Sequence, residues 1–443
     1  MPKTKIVVTT VPFIDWNTPI VAPAYIKGIL KKDVECVALD LNIEIYNKIK
    51  HDPDFRLYKE FFYHQIIHPK IYKQITSMLY HYMKRILEYN PTHIGLSLFS
   101  TDSQVFTAWL CTLLKKERPD IKIVIGGPGL TTLESRKVSF PLSLKQKKLI
   151  DNFIVGDASQ SLIEYFVDNK KQTEDRKTAQ QDPDFHNAVT PDFDDYNFLM
   201  YEYVRLPIVD SRGCVQKCEF CDVIEFWNKF QYLSAEVVFS QMQELIKKYN
   251  IYWFDFASSI SNGNLVQFRK LIKIIADFNH EKPANKQIHW NGNFIIRPKG
   301  RHTDDLYKDI KQSNGHLLCG VESLSSKVRI ALGKNFNNDD LDYHLEQCKK
   351  HKIKIDLLII ASYLSETDED YKNALKWFDA HSEYANSIVE RVQMTIPGLL
   401  AGTKLTAKTD KKDFDAKESK RVEHANQLTK KATECGFQVE TFF

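Results

Sequence analysis

No run of about 18 apolar residues occurs anywhere in the 443-residue chain. The start, Met1-Pro2-Lys3-Thr4-Lys5, passes straight into a short apolar strand without a secretory or transit pattern. A membrane span and an exported precursor are therefore not expected, and the chain is expected in a cytosol, where thiols stay reduced. Strong charge of one sign is missing too. The 61 basic and 57 acidic side chains leave +4, and no RNA-binding motif or basic stripe with interleaved aromatics stands out, so no nucleic-acid partner is expected. The lysine pairs Lys31-Lys32, Lys115-Lys116 and Lys430-Lys431 read as solvated helix faces. Internal repeats and low-complexity tracts are absent.

What is present is ordinary globular composition, 43% hydrophobic and 27% charged, over a length that exceeds one domain. Residues 1–169 alternate β-rich and helical runs. Strands are predicted at Lys5 to Thr10, Val34 to Asp40, His93 to Leu98, Ile121 to Gly126 and Asn152 to Val155, with helices between them. This alternation predicts an α/β, doubly wound, Rossmann-like parallel sheet. Tyr46 to Tyr89 exceeds a normal crossover and reads as an inserted helical hairpin. Its His64 and His68, at i, i+4, fit a helix surface better than a metal site.

Residues 170–205 are polar and then acidic and aromatic (Pro191-Asp192-Phe193-Asp194-Asp195-Tyr196), the pattern of a linker. Strand–helix alternation resumes over 206–400. Six strands, starting at Leu206, Tyr252, Gln287, His316, Ile353 and Ser387, predict a partial (βα)₆ barrel of TIM type with functional groups at the strand C-terminal ends. Residues 401–443 are expected as a helical extension, with one amphipathic helix from Lys411 to Cys435 and a short tail.

Eight cysteines in a reducing compartment are not a disulfide framework. Cys36, Cys111, Cys319, Cys348 and Cys435 are isolated and read as small hydrophobes. The other three crowd one loop, Ser211-Arg212-Gly213-Cys214-Val215-Gln216-Lys217-Cys218-Glu219-Phe220-Cys221. Zinc would want a fourth Cys or His, and none stands close to the loop in sequence. Three thiolates on a [4Fe–4S] cube leave one iron open to a cofactor or substrate.

The C-x₃-C-x-Φ-C spacing, with Phe220 before the third cysteine, resembles the signature of the radical S-adenosylmethionine (SAM) superfamily. The resemblance implies that Cys214, Cys218 and Cys221 bind the cluster, that SAM chelates the fourth iron, and that Phe220 packs on the cofactor side. Matches continue in order through the barrel. Asp255-Phe256-Ala257-Ser258 ends the second strand, where the family holds the methionine amino group, which implicates Asp255, Ala257 and Ser258. Arg297, after the third strand, could pair with the cofactor carboxylate. Gly320-Val321-Glu322-Ser323 resembles the family's Gly-x-Glu-Ser, so Glu322 and Ser323 are expected at ribose or carboxylate. Ser365-Glu366-Thr367 resembles a Pro-Gly-Glu-Thr turn, with Leu364 and Ser365 in place of Pro-Gly.

The first domain resembles the cobalamin-binding domain of one branch of that superfamily. Ligands of a doubly wound sheet lie beyond the strand C-terminal ends. The loops there carry Ser97, Phe99, Ser100, Gly126, Gly127 and Gly156, and small residues let a flat ligand approach the backbone. The Asp-x-His-x-x-Gly motif that supplies a cobalt-ligating histidine in many cobalamin proteins is absent, as it is from many members of this branch. The loop Val11 to Trp16 lies at the same strand ends, and the lead from Trp16 to Ala24 into the first helix is similar to the family's.

The resemblance implies an enzyme that cleaves SAM reductively to a 5′-deoxyadenosyl radical. With cobalamin, it would methylate or otherwise modify an unactivated carbon of a small molecule or peptide. An external donor of flavodoxin or ferredoxin type would supply the electron. Two alternatives stay open: a cobalamin-independent radical SAM enzyme catalysing rearrangement or cyclisation, and a non-enzymatic iron–sulfur or zinc-binding protein. Methylthiolation would need a second cluster, and no second cysteine triad exists. No motif identifies the substrate or a catalytic acid or base.

Overall fold

Continuous Val/Ile/Leu runs suit strands buried on both faces, and five of them pair in the first part of the chain. They are β1 (Lys5–Thr10), β2 (Glu35–Leu39), β3 (His93–Ser97), β4 (Lys122–Gly126) and β5 (Asn152–Ile154). Every adjacent pair is parallel, in the order β2-β1-β3-β4-β5. The order reverses between β1 and β3, the switch point at which ligands of such sheets sit. The computed structural model describes residues 4–12, 18–130, 139–156, 159–167, 189–227, 229–400 and 402–442. The chain divides into two units, Met1–Ile208 and Val209–Phe443.

Between β2 and β3 the chain forms three helices, Leu41–Ile49, Phe55–His64 and Tyr72–Leu87, rather than the expected hairpin. The helix over 55–64 ends where Gln65 turns left-handed (φ 57°), so His64 and His68 share no helix face; His68 Nε2 lies 2.9 Å from Glu60 Oε2. Phe61 stacks on Trp109 at 5.9 Å, and Tyr82 meets Phe106 edge-on at 5.3 Å, which welds this insertion to the helix Gln104–Glu117.

The expected linker differs from what its composition predicts. Residues 170–188 lie outside the described residues, and 189–205 are built into the first unit. Asp192, 3% exposed at its side chain, pairs with Lys31 at 2.7 Å and Lys27 at 3.4 Å. Asp195 pairs with Lys27 at 2.6 Å and accepts from the Ala38 N–H at 2.8 Å. The acidic run therefore supplies the counter-charges for one helix, Val21–Leu30, and for its C-cap Lys31, so Lys31 is not simply a solvated charge. Lys115 also departs from that reading, donating to Ile121 O at 2.7 Å and Asp151 Oδ2 at 2.8 Å.

The later part of the chain holds a seven-stranded sheet. Its strands are β6 (Leu206–Ile208), β9 (Trp253–Phe256), β10 (His289–Phe294), β11 (Gly315–Glu322), β12 (Ile355–Ile360), β13 (Val389–Thr395) and β14 (Val439–Thr441). They run in the order β14-β13-β12-β11-β10-β9-β6, and the pairs from β9 to β14 are parallel. A small antiparallel hairpin joins β7 (Ser211–Arg212) to β8 (Gln231–Tyr232). All six expected barrel strands are present, and helices follow them.

The tail differs from expectation. The single helix expected from Lys411 breaks at Lys417 into Lys411–Ala416 and Glu418–Glu434. Gly436 then turns the chain with φ 89°, and Val439–Thr441 adds a strand beside β13. Phe437, 2% exposed, packs on Phe378 at 5.3 Å and anchors that return.

Alternation along β11 sorts the faces. Leu317, Cys319 and Val321 are buried, and Cys319 Sγ lies 3.4 Å from His344 Nε2 on the covering helix Asn338–His351. Leu318, Gly320 and Glu322 occupy the other face.

Candidate functional site

The cysteine loop leaves β7 through Gly213, whose φ of 78° suits glycine. A Cβ there would lie 2.8 Å from Lys229 O. Ser211, buried, donates to Ile260 O at 2.8 Å and fixes the entry. All eight cysteines of the chain are free. Cys218 is 6% exposed, while Cys214 and Cys221 are half-buried. The Cys221 N–H donates to Cys218 O at 3.2 Å, and the Gln216 N–H points at Cys214 Sγ at 3.4 Å.

Glu219 clamps the loop from behind. Its N–H donates to Leu332 O at 3.0 Å, and its own O accepts from the Leu405 N–H at 2.8 Å. Its carboxylate accepts from Tyr363 Oη at 2.9 Å and pairs with Lys408 at 3.1 Å. Gly333, with φ 92°, allows close approach: a Cβ on it would lie 3.2 Å from Lys217 O and 3.4 Å from Cys218 Cα. Phe220 packs against the buried cluster of Val328, Leu332, Tyr363 and Leu405, the support beneath the loop.

Burial pushes the Cys218 thiol up to about 11, against the Lys334 ammonium, which pulls it down. Burial also raises Cys221. Like charge from Cys214 adds to both shifts. Among the described residues no three His, Cys, Asp or Glu side chains close on one point as ligands of a single ion would. A cubane makes no such demand, because its thiolates bind separate irons.

The strand-end residues have distinct settings. Asp255 on β9 accepts from Asn291 Nδ2 at 2.8 Å, its register partner on β10. Ala257 is exposed, while Ser258 is buried and its carbonyl accepts from Asn293 Nδ2 at 2.8 Å. Arg297 donates from Nη2 to Asn262 O at 2.9 Å and Gly263 O at 3.3 Å. Its Nε is buried without a partner among the described residues. Burial lowers its pKa, whereas Cys214 acts in the opposite sense.

Glu322 ends β11 at a register shift and takes a left-handed backbone, φ 62°. For a residue with a Cβ that conformation costs of order 1 kcal/mol and marks a constrained site. Its Oε1 lies 2.8 Å from Lys334 Nζ. Ser323 is 2% exposed. Its hydroxyl accepts from the Ser325 N–H at 3.2 Å and its carbonyl from Arg329 Nη1 at 2.7 Å. The turn after β12 closes without Pro-Gly. Ser362 takes the left-handed conformation (φ 57°), and the Glu366 N–H donates to Tyr363 O at 2.9 Å.

In the first unit, Ser97 on β3 stands in register between Thr10 of β1 and Gly126 of β4, at the switch point. Phe99 follows with 61% of its surface exposed. Ser100 is already engaged: it donates to Asp102 Oδ2 and accepts from the Asp102 N–H at 3.1 Å. Gly127 (φ 99°) is irreplaceable on steric grounds, because a Cβ would sit 2.2 Å from Leu98 O. Gly126 is under no such demand, its nearest approach being Ile154 O at 3.6 Å. Gly156 turns the chain after β5 with φ 83°. Residues 13–17, and Asp157 with Ala158, lie outside the described residues.

Residues 208–378 match the family model of the Radical SAM superfamily. The chain carries a radical SAM domain. Its two-unit α/β fold is similar to that of the radical S-adenosylmethionine methyltransferase TsrM from Kitasatospora setae, solved with cobalamin and a [4Fe–4S] cluster bound. There the TM-score is 0.63 at 14% identity, over 91% of this chain and 77% of that one. It is similar as well to the cobalamin-dependent S-adenosylmethionine radical enzyme OxsB, solved with aqua-cobalamin and S-adenosylmethionine bound. That match has a TM-score of 0.65 at 13% identity, over 96% of this chain and 56% of OxsB. At such identity the likeness is one of fold. No curated protein matches the sequence.

Three groups of the radical SAM domain escape sequence reasoning. Lys334 follows Leu332-Gly333, which reads only as a helix C-cap, yet it reaches Glu322. Glu219 carries no motif of its own beyond its place between two cysteines. Asn262, fully buried, brackets Ile295 by donating to its carbonyl at 2.9 Å and accepting from its N–H at 2.8 Å. Those two bonds tie the loop after β9 to the approach of Arg297.

Proposed function

We propose that the chain is a radical SAM enzyme in which Cys214, Cys218 and Cys221 hold a [4Fe–4S] cluster with one iron left for S-adenosylmethionine. The observation that carries this reading is the loop itself: three free, partly buried thiols within eight residues, braced by Glu219 and Gly333 at the carboxyl ends of a parallel sheet. The donor set fits a cubane, since soft thiolates on separate irons need nearness rather than convergence. When bound, cluster and cofactor together supply a one-electron cleavage of a carbon–sulfur bond, giving methionine and a 5′-deoxyadenosyl radical.

The chain's own groups position that chemistry. The Gln216 N–H directs a donor at Cys214 sulfur. Arg297, with its unpartnered Nε, suits the carboxylate of the cofactor. Glu322 and Ser323 are the polar groups at the end of β11 suited to ribose or carboxylate, the Ser323 hydroxyl keeping its own donor free of the Ser325 N–H it accepts from. Asp255 and Ala257 line the end of β9, where an amino group would be received.

We further propose that the first unit binds cobalamin beyond the ends of β3, β4 and β5. Gly127 and Gly156 open the backbone there, and the exposed Phe99 ring offers a flat apolar contact. The fold shared with two cobalamin proteins supports this assignment. The proposed reaction is methylation, or another modification, of an unactivated carbon of a small molecule or peptide. The electron comes from an external one-electron donor, and the setting is cytoplasmic.

The test is anaerobic reconstitution with iron, sulfide, dithionite and S-adenosylmethionine, followed by assay for 5′-deoxyadenosine. Iron and sulfide bound to the parent and lost in Cys218→Ala, with 5′-deoxyadenosine formed by the parent alone, is the expected result. A parent protein that takes up neither would overturn the reading. Corrinoid absorbance retained through gel filtration tests the cobalamin assignment separately.

A further inference from the structure

Lys334 is a cation sunk beneath the cysteine loop, its side chain only 11% exposed. Its Nζ lies 2.8 Å from Glu322 Oε1 and donates to Gly320 O at 3.2 Å. A Cβ on Gly320 would lie 2.9 Å from that nitrogen and 2.6 Å from Glu322 Oε1, so the glycine makes room for the ion pair. The lysine enters from Gly333, the residue pressed against Cys218. Its charge acts on both Cys218 and Cys214.

A [4Fe–4S]²⁺ cube with three thiolates carries a net charge of about −1, and one added electron makes it about −2. Buried negative charge is costly unless a cation stands near, and the low local dielectric lets one charge act strongly over several ångströms. We infer that Lys334 is the internal counter-charge of the cysteine loop: a positioning residue, attenuated by Glu322, that sets how readily the cluster accepts its electron. The inference rests on the cluster assignment above.

Redox titration of the reconstituted protein, followed by EPR without S-adenosylmethionine, tests it. Lys334→Met should assemble a cluster that is harder to reduce. At a poise that half-reduces the parent, its oxidised-to-reduced ratio should rise roughly tenfold, which is 59 mV for one electron. Lys334→Arg should restore the parent value to within about twofold. Glu322→Gln should shift the potential the opposite way, because it unmasks the lysine, and this keeps the inference testable if Lys334→Met fails to fold. Full iron content with unshifted potentials in either variant, or shifts of the same sign in both, would overturn it. A parent that binds no iron would instead sink the proposed function.

Discussion

Tyr201 Oη donates to Asp40 Oδ2 at 2.8 Å, joining two residues 161 positions apart within the first unit. Both ends of this contact are buried, and Asp40 also accepts from the Ile43 N–H at 3.3 Å as the cap of the helix over 41–49. Tyr201→Phe leaves a buried carboxylate one donor short, which costs about 1–3 kcal/mol. Denaturant unfolding of the first unit should show that loss, and an unchanged midpoint would count against a structural role for the segment 189–205.

Burial pushes the Asp210 carboxyl, at the foot of the cysteine loop, up to about 7. In the unfolded chain it titrates near 3.9. The native state therefore holds its proton to higher pH, and this group's contribution to the second unit's stability falls as pH rises from about 4 to about 7. Asp210→Asn should flatten that part of the profile and melt higher than the parent at about pH 8. Thermal melts across this range check it; a variant declining in parallel with the parent would refute the assignment.

Gly126 and Gly127 are neighbours with opposite tolerances. Gly127→Ala meets Leu98 O and a φ of 99°, and should cost more than about 1 kcal/mol. Gly126→Ala meets only an ordinary contact and should fold as the parent does. If cobalamin sits against this edge, Gly127→Ala also loses corrinoid retention on gel filtration. Equal behaviour of the two variants would contradict the geometry.

Arg391 links β12 to β14. It reaches Asp356 at 2.7 Å and Glu440 at 3.0 Å, while Asp356, 3% exposed at its side chain, is also 3.1 Å from His316. Arg391→Met should cost roughly 1–3 kcal/mol, below the full price of a broken buried pair because the arginine is 45% exposed and His316 remains. It should also loosen β14, exposing the edge of β13 to self-association. Light scattering and hydrogen exchange at 439–441 are the measurements, and full protection of those amides would rule the link out.

Local signals were the legible ones. The cysteine spacing sits within one loop, and the β-branched runs placed strands to within about two residues because parallel strands buried on both faces advertise themselves. Readings failed where the partner lay far off. Asp192 and Asp195 look like linker residues until Lys27 and Lys31 are brought beside them. Val439–Thr441 is too short to read as a strand without β13. Ser100 and Ser323 have the right residue type for ligand contacts, and the sequence does not show that their hydroxyls also take part in local turns. Lys334 becomes visible only when Gly320 vacates the space it shares with Glu322.

Glu219 has a consequence for the order of events during biogenesis. The carboxylate between the second and third cysteines is gripped by Tyr363 and by Lys408, which lies 189 positions downstream. The loop therefore cannot take its final shape on a nascent chain that has emerged only as far as its cysteines. On the proposed assignment, cluster insertion would follow the folding of most of the second unit, and a cell starved of iron should accumulate this chain folded and empty rather than unfolded.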